Sequence, residues 1–300
     1  MTSSSCSSAP LLGLRAGDLA LDLAPDSGGI IAGFRHRDTL LMRAPDLAEI
    51  AARNPRGGAS WPLVPYSNRI RDARFPWRGR MIELARDHLS GHHAIHGQGW
   101  RRPWQVVSAD ATRAVLEQRH APDGFWPFAY RARQDFTLTP DGVALTMSVE
   151  NIGDEAMPAG LGHHPFFRRA PDTRLQVGLG SMWEGDVACF PRRRVTVPDA
   201  FDFRTARAVD AIDLDAVFVG WTRPARIEWP DARLALEISA DAIYGRLVVF
   251  IPPGRNVFAV EPVSHDTDAL NRPPEDDHGL ACLAPGEILS GGMTFRVTRS

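Results

Sequence analysis

Residues 130–151 read Tyr-Arg-Ala-Arg-Gln-Asp-Phe-Thr-Leu-Thr-Pro-Asp-Gly-Val-Ala-Leu-Thr-Met-Ser-Val-Glu-Asn. Tyr130, Ala132, Gln134, Phe136 and Leu138 alternate with Arg131, Arg133, Asp135 and Thr137. Pro140-Asp141-Gly142 then supplies turn chemistry. Beyond it, Val143, Leu145, Met147 and Val149 alternate with Ala144, Thr146, Ser148 and Glu150. Two period-two runs about a tight turn predict an antiparallel hairpin with one dry and one wet face.

The same pattern spreads outward. Arg226–Trp229, Pro230-Asp231 and the period-two set Leu234, Leu236 and Ile238 predict a second hairpin. Short strands fit 19–23, 104–109, 114–118, 246–250, 257–260 and 293–297. Helical signals are few: about two turns over 46–53 and one over 206–212. The 26 Gly and 24 Pro mark frequent turns. The class is therefore all-β and antiparallel, a large sandwich or barrel. No repeat or composition shift divides residues 11–300, which are expected to form one domain. Residues 1–10 are small and polar and are expected to be disordered.

Bulk properties exclude several functions. The formal net charge of −2 offers no nucleic-acid surface. All 34 basic residues are arginine. Without a lysine amine, Schiff-base chemistry, pyridoxal phosphate anchoring and a Walker-type phosphate loop are ruled out. Cys6, Cys189 and Cys282 are far apart, which predicts no disulfide framework and suits a reducing cytoplasm. No stretch approaches ~18 uninterrupted apolar residues, so no membrane span is expected. The first residues lack the pattern of a signal peptide.

Chemistry is signalled by two dipeptides. Glu261-Pro262 ends an apolar run and is expected at the end of a strand, and His164-Pro165 lies within Gly160-Leu161-Gly162-His163-His164-Pro165-Phe166-Phe167. Proline holds the residue before it in an extended conformation. A carboxylate and an imidazole locked in this way suggest acid–base work. His163 and His164 point to opposite faces of an extended segment, so only one can enter a given cleft.

Ser67-Asn68-Arg69-Ile70, Ala94-Ile95-His96-Gly97, His164-Pro165-Phe166-Phe167, Leu214-Asp215-Ala216-Val217-Phe218 and Glu261-Pro262 follow one another along the chain. In that order, over residues 12–299, they resemble the aldose 1-epimerase (galactose mutarotase) family. The resemblance implies a galactose-mutarotase-like β-supersandwich and mutarotation of an aldohexose without a cofactor. It implies that Glu261 is the general base on the anomeric hydroxyl and His164 the general acid on the ring oxygen. His96, Arg69, Asn68 and Asp215 would bind the sugar. Asp213, two residues before Asp215, is the alternative to it. An imidazolium at His164 beside an ionised Glu261 would be mutually supporting.

Where better-known galactose mutarotases commonly carry Asn-Leu and a glutamine, this chain has Arg168-Arg169 and Val263-Ser264-His265-Asp266. These changes bear on substrate rather than chemistry. His265 could reach the cleft edge, and Arg168, Arg71 or Arg74 could meet an anionic sugar. A second reading is thus a mutarotase of a phosphorylated or sulfonated hexose. A third is a non-catalytic carbohydrate-binding protein. His92, His93 and His96 could in principle hold a metal, but the spacing has no helical logic and no metal is expected. The expected partner is a small sugar, with neither nucleic acid nor membrane, bound by a monomer or homodimer. Trp183, Trp100 and Phe167 are candidate aromatic contacts for it.

Overall fold

The structure is a computed structural model that describes residues 11–86, 91–273 and 276–299. The expectation for residues 1–10 lies outside the described residues. Strand Tyr130–Thr139 pairs with Gly142–Asn151 from Tyr130↔Asn151 to Thr139↔Gly142, and its side chains alternate between buried and half-buried. A Cβ on Gly142 would sit 2.2 Å from the Phe295 carbonyl oxygen, so the turn needs glycine there.

Among the described residues, the strands form two large antiparallel sheets, of eleven and nine strands. The central strands of the larger sheet run in the order Ser60–Leu63, Gly162–Arg168, Val257–Val263, Arg246–Ile251, Leu214–Trp221, Leu179–Gly185. The smaller sheet carries the 130–151 hairpin, with strands Ile288–Arg299 and Leu234–Ala240 beside it. Phe167 and Phe258 of the larger sheet join Phe136, Leu145, Ile227 and Phe295 of the smaller in one buried cluster. The rings of Phe167 and Phe295 meet across the layers at 6.3 Å. Burying each such ring stabilises the fold by about 1.5–3 kcal/mol. No helix among the described residues is long and apolar enough to cross a membrane.

Two local expectations are corrected. Residues 46–53 form only the short helix Leu47–Ala51, capped by Asp46, whose carboxylate accepts from the amides of Ala48 and Glu49. The turn expected over 206–212 is instead strand Arg207–Ala208, because Arg207 and Ala208 pair with Leu175 and Arg174 at the edge of the smaller sheet. Tertiary pairing overrides a weak local preference.

The face of the larger sheet turned away from the shared core carries the candidate residues. Register places Trp61 opposite His164. The pairs Gly162↔Val263 and Phe166↔Ala259 place His164 opposite Glu261. Glu261 in turn faces Val248, Val248 faces Val217, and the next strand brings in Trp183. One row thus crosses six strands. Its first three members each precede a proline, Pro62, Pro165 and Pro262. Proline inside central strands breaks the usual rule that confines it to edges. Such local rule-breaking marks functional positions.

Candidate active site

His164 and Glu261 meet in this row, with Nε2 3.3 Å from Oε1. They are 8% and 3% exposed, so only their tips reach the cleft. Glu261 is not at a strand end, since its strand continues to Val263. Burial pushes the His164 imidazole well below its ordinary range. Burial first, then the nearby Asp215, pushes the Glu261 carboxyl well above the usual carboxylate range, while Arg69 pulls it down. The sequence led to an imidazolium–carboxylate pair. The dry surroundings outweigh mutual attraction and push both groups toward their neutral forms. His164 Nδ1 is buried and has no hydrogen-bond partner among the described residues.

His163 faces the other way and is fully buried. Its Nδ1 meets the Ser60 hydroxyl, and its Nε2 lies 3.2 Å from Gln134 Oε1 in the opposite sheet. Both ring nitrogens are therefore engaged, one within the larger sheet and one across the two layers.

His96 stands over the pair, its ring 5.5 Å from that of His164. Its Nδ1 accepts from the amide of Asn68 at 3.0 Å, which leaves the proton on Nε2. Burial holds the ring neutral, helped by His164 and Arg69. His96, Gly97 and Asn68 all have positive φ, at 60°, 65° and 56°. A Cβ on Gly97 would lie 2.4 Å from the Val64 carbonyl oxygen, so this tight crossing requires glycine. Asn68 Oδ1 accepts from the Arg69 amide at 2.9 Å and lies 3.4 Å from the Arg69 guanidinium. Strands Arg69–Ile70 and Ala94–Ile95 pair with each other and fix this corner.

Asp215 lies on the same face of its strand as Val217 and is exposed. It lines a cavity of 20 Å³ with Asn68, Trp183, Cys189 and Thr267. That volume suits one hydroxyl- or water-sized group. The Thr267 hydroxyl is buried there without a partner among the described residues. Asp213 precedes the strand and does not line this cavity. The six candidates thus converge from five separate stretches of chain.

Sequence reasoning missed Trp61, whose ring lies 4.8 Å from His164 and 5.1 Å from Trp100. Its signal was the following Pro62, the same grammar as His164-Pro165. Phe166 packs on His164 at 4.5 Å. Trp100 and Trp183 stand at opposite ends of the cleft, whereas Phe167 belongs to the inter-sheet core. His265 is 3% exposed and joined to the Ser67 amide and the Asp266 carbonyl, so it braces the loop rather than reaching the cleft edge. Arg168 makes a two-pronged pair with Asp231 at 2.8 and 2.9 Å. Arg71 pairs with Asp186. His96 stands apart from His92 and His93, which instead gather with Asp72, all ligand atoms lying within 4.8 Å of one another. A roomier hollow of 770 Å³, lined by Leu11, Pro25, Trp104, Glu117 and Arg119, contains no histidine and none of the six candidates.

Residues 11–296 match the family model described as aldose 1-epimerase. The Escherichia coli K12 protein YphB, itself uncharacterized, is 32% identical over 292 residues, covering 95% of this chain and 97% of its own. A solved structure of a candidate aldose 1-epimerase from Escherichia coli K12 superposes with a TM-score of 0.88 at 31% identity, over 97% of this chain and 99% of that one. A galactose mutarotase-like protein from Clostridium acetobutylicum shares the fold, with a TM-score of 0.86 at 19% identity over 97% and 95% of the two chains. The chain belongs to the aldose 1-epimerase family, and its architecture is the galactose-mutarotase-like antiparallel β-sandwich.

Proposed function

We propose that this protein interconverts the α and β anomers of an aldohexose by opening and reclosing the hemiacetal ring. The observation that carries this reading is the His164–Glu261 contact of 3.3 Å on a dry sheet face, beside the His96 ring and within electrostatic reach of Arg69. Ring opening needs one group to take the O1 proton and another to give a proton to O5. Glu261 is the base and His164 the acid, and the roles reverse on reclosure after rotation about C1–C2. Each contributes a factor of about 10²–10⁴. No electron transfer or covalent intermediate is needed.

The resting pair already holds the required single proton. Moving it from Glu261 to His164 creates carboxylate and imidazolium without uptake from water. Arg69 favours that ionised form by attracting the Glu261 carboxylate. His96, with its proton on Nε2, donates to a sugar oxygen. Asp215 and Thr267 receive a far hydroxyl in the small cavity between them. Trp61 and Phe166 offer apolar surface to the C–H face of the ring. A pure binding protein would gain nothing from burying an acid–base pair at such desolvation expense.

The test is polarimetry or NMR of fresh α-glucose and α-galactose with wild-type protein. Accelerated approach to the anomeric equilibrium is expected with neutral hexoses. Sugar binding without acceleration would replace this reading with the non-catalytic one.

A further inference from the structure

The spacing of His164 and Glu261 is set by sheet register. Asn68, Arg69 and His96 do not share that register, because they belong to the separate ribbon of Arg69–Ile70 and Ala94–Ile95. Asn68 also holds a left-handed φ of 56°, a conformation that persists only where its surroundings enforce it. The enforcement comes from the chain just beyond the strand of Glu261. There the His265 Nε2 accepts from the Ser67 amide at 3.0 Å, and the Asp268 amide donates to the Arg69 carbonyl at 3.0 Å. The same stretch grips the approach to the strand of His164. The Ser264 amide donates to the Leu161 carbonyl at 2.8 Å, and the Ser264 hydroxyl accepts from the Leu161 amide at 2.9 Å. The His265 ring lies where these segments meet. A Cβ on Gly160 would fall 2.0 Å from its Cδ2, so the ring fills space that only glycine leaves open.

We infer that His265 is a positioning residue for the sugar: its Nε2 acceptor holds the Ser67–Arg69 turn, and with it Asn68, Arg69 and His96, at one distance from the His164–Glu261 pair. A backbone N–H can only donate, so Nε2 carries no proton. The proton of the neutral ring is then on Nδ1, which donates to the Asp266 carbonyl at 2.8 Å. Asp266 is itself fixed, by its amide on the His278 carbonyl at 2.9 Å and its carboxylate 3.3 Å from the Arg246 guanidinium. Burial pushes the His265 imidazole down to about 4, which keeps this tautomer through the neutral range. The hold passes on from Ser67 to its neighbour Asn68, whose amide donates to His96 Nδ1 at 3.0 Å and whose carbonyl accepts from the His96 amide at 2.9 Å. Losing the ring therefore loosens the binding corner and leaves the acid and base on their paired strands. The inference deepens the mutarotase reading and rests on it for what the corner holds.

The test compares the full chain with His265→Leu and His265→Gln, by glucose mutarotation kinetics and by NMR titration of glucose. Leucine fills space without an acceptor, whereas the glutamine amide can both accept from Ser67 and donate to the Asp266 carbonyl. In His265→Leu, KM and Kd are expected to rise about tenfold while kcat changes less than about threefold, and His265→Gln is expected to recover both. A purely structural role would instead lower the melting temperature and the apparent kcat at unchanged KM, and that result overturns the inference. If His265→Leu does not fold, His265→Asn replaces it, its amide being one methylene too short to reach. A raised KM in His265→Asn but not in His265→Gln supports the inference, and equal KM values overturn it. Nitrogen NMR of the ring, assigned by its loss in His265→Gln, reads the tautomer in the intact protein. An unprotonated Nε2 is expected, and a protonated one overturns the inference. The Kd does not depend on turnover. Wild-type protein that binds glucose without mutarotating it therefore sinks the mutarotase reading and leaves the Kd comparison to decide the role of His265.

Discussion

His163 and His164 are neighbours in one strand, both buried, and they differ in everything else. His163 faces the inter-sheet core and has both ring nitrogens engaged, by Ser60 and Gln134. His164 faces the cleft with one nitrogen against Glu261 and the other without a hydrogen-bond partner among the described residues. A histidine whose hydrogen-bonding capacity is filled by its own protein is architecture. One left with unfilled capacity, at a desolvation penalty, is available to a reacting molecule.

The largest effect that bears on this contrast is expected from the partner of His164. Glu261→Gln preserves shape but cannot take a proton, so kcat falls at least ~10²-fold with the fold retained. Near wild-type mutarotation in a folded Glu261→Gln protein would remove the base from the mechanism.

The contrast itself is broken or upheld by a pair of variants. His164→Asn is expected to lose about 10²-fold or more in kcat with little change in melting temperature. His163→Asn is expected to destabilise by about 1–3 kcal/mol, through the buried partners left unpaired, while sparing kcat. Polarimetry and thermal melts on both proteins read this directly. Equal loss of activity would mean that the division by face is wrong.

The dryness of both histidines sets the pH behaviour. Burial depresses His163 to about 3 from its ordinary 6.5, and it depresses His96, His164 and His265 as well. The unfolded chain takes up these protons as pH falls through 6.5, whereas the folded chain does not. Stability conferred by the neutral rings is therefore full above 6.5 and is lost progressively below it. The raised carboxyls of Glu261, Asp266 and Asp268 oppose this slope, but His93, His120 and His278 are depressed as well, so three groups stand against seven. Melting temperature should fall as pH drops from 6.5 toward 4.5. In the same window kcat/KM should stay level, because the His164–Glu261 pair takes a second proton only well below 6.5. An acid limb near 6.5 would place His164 in contact with water.

The smallest expected effect concerns a third histidine neighbourhood, where His92 and His93 lie beside Asp72. Exhaustive chelation is expected to leave activity unchanged, since ring opening is served by protons alone. Activity lost on chelation and restored by one metal would shift the chemistry to that cluster.

Strand content was legible because burial alternates at period two. Tyr130–Thr139 writes it plainly, and Arg207–Ala208 does not, being too short to show a period. The proposed acid and base, His164 and Glu261, were legible because each precedes a proline. Trp61 carries the same mark, but a tryptophan has no proton to give, and its role depends on standing beside His164. His265 read as a cleft residue because its spacing from Glu261 was visible, whereas its bonds to Ser67 and Asp266 were not.

The amino-acid order by itself determined the class of fold, the extended backbone at Glu261 and His164, and the opposition of His163 to His164. These follow from steric limits that act within a few residues of chain. Only the tertiary structure decided that strands about a hundred residues apart would bring the pair to 3.3 Å. It also decided that their surroundings would be dry, which raises the Glu261 carboxyl and lowers the His164 imidazole. Register and desolvation depend on which strands and loops become neighbours, and no local stretch of sequence encodes that.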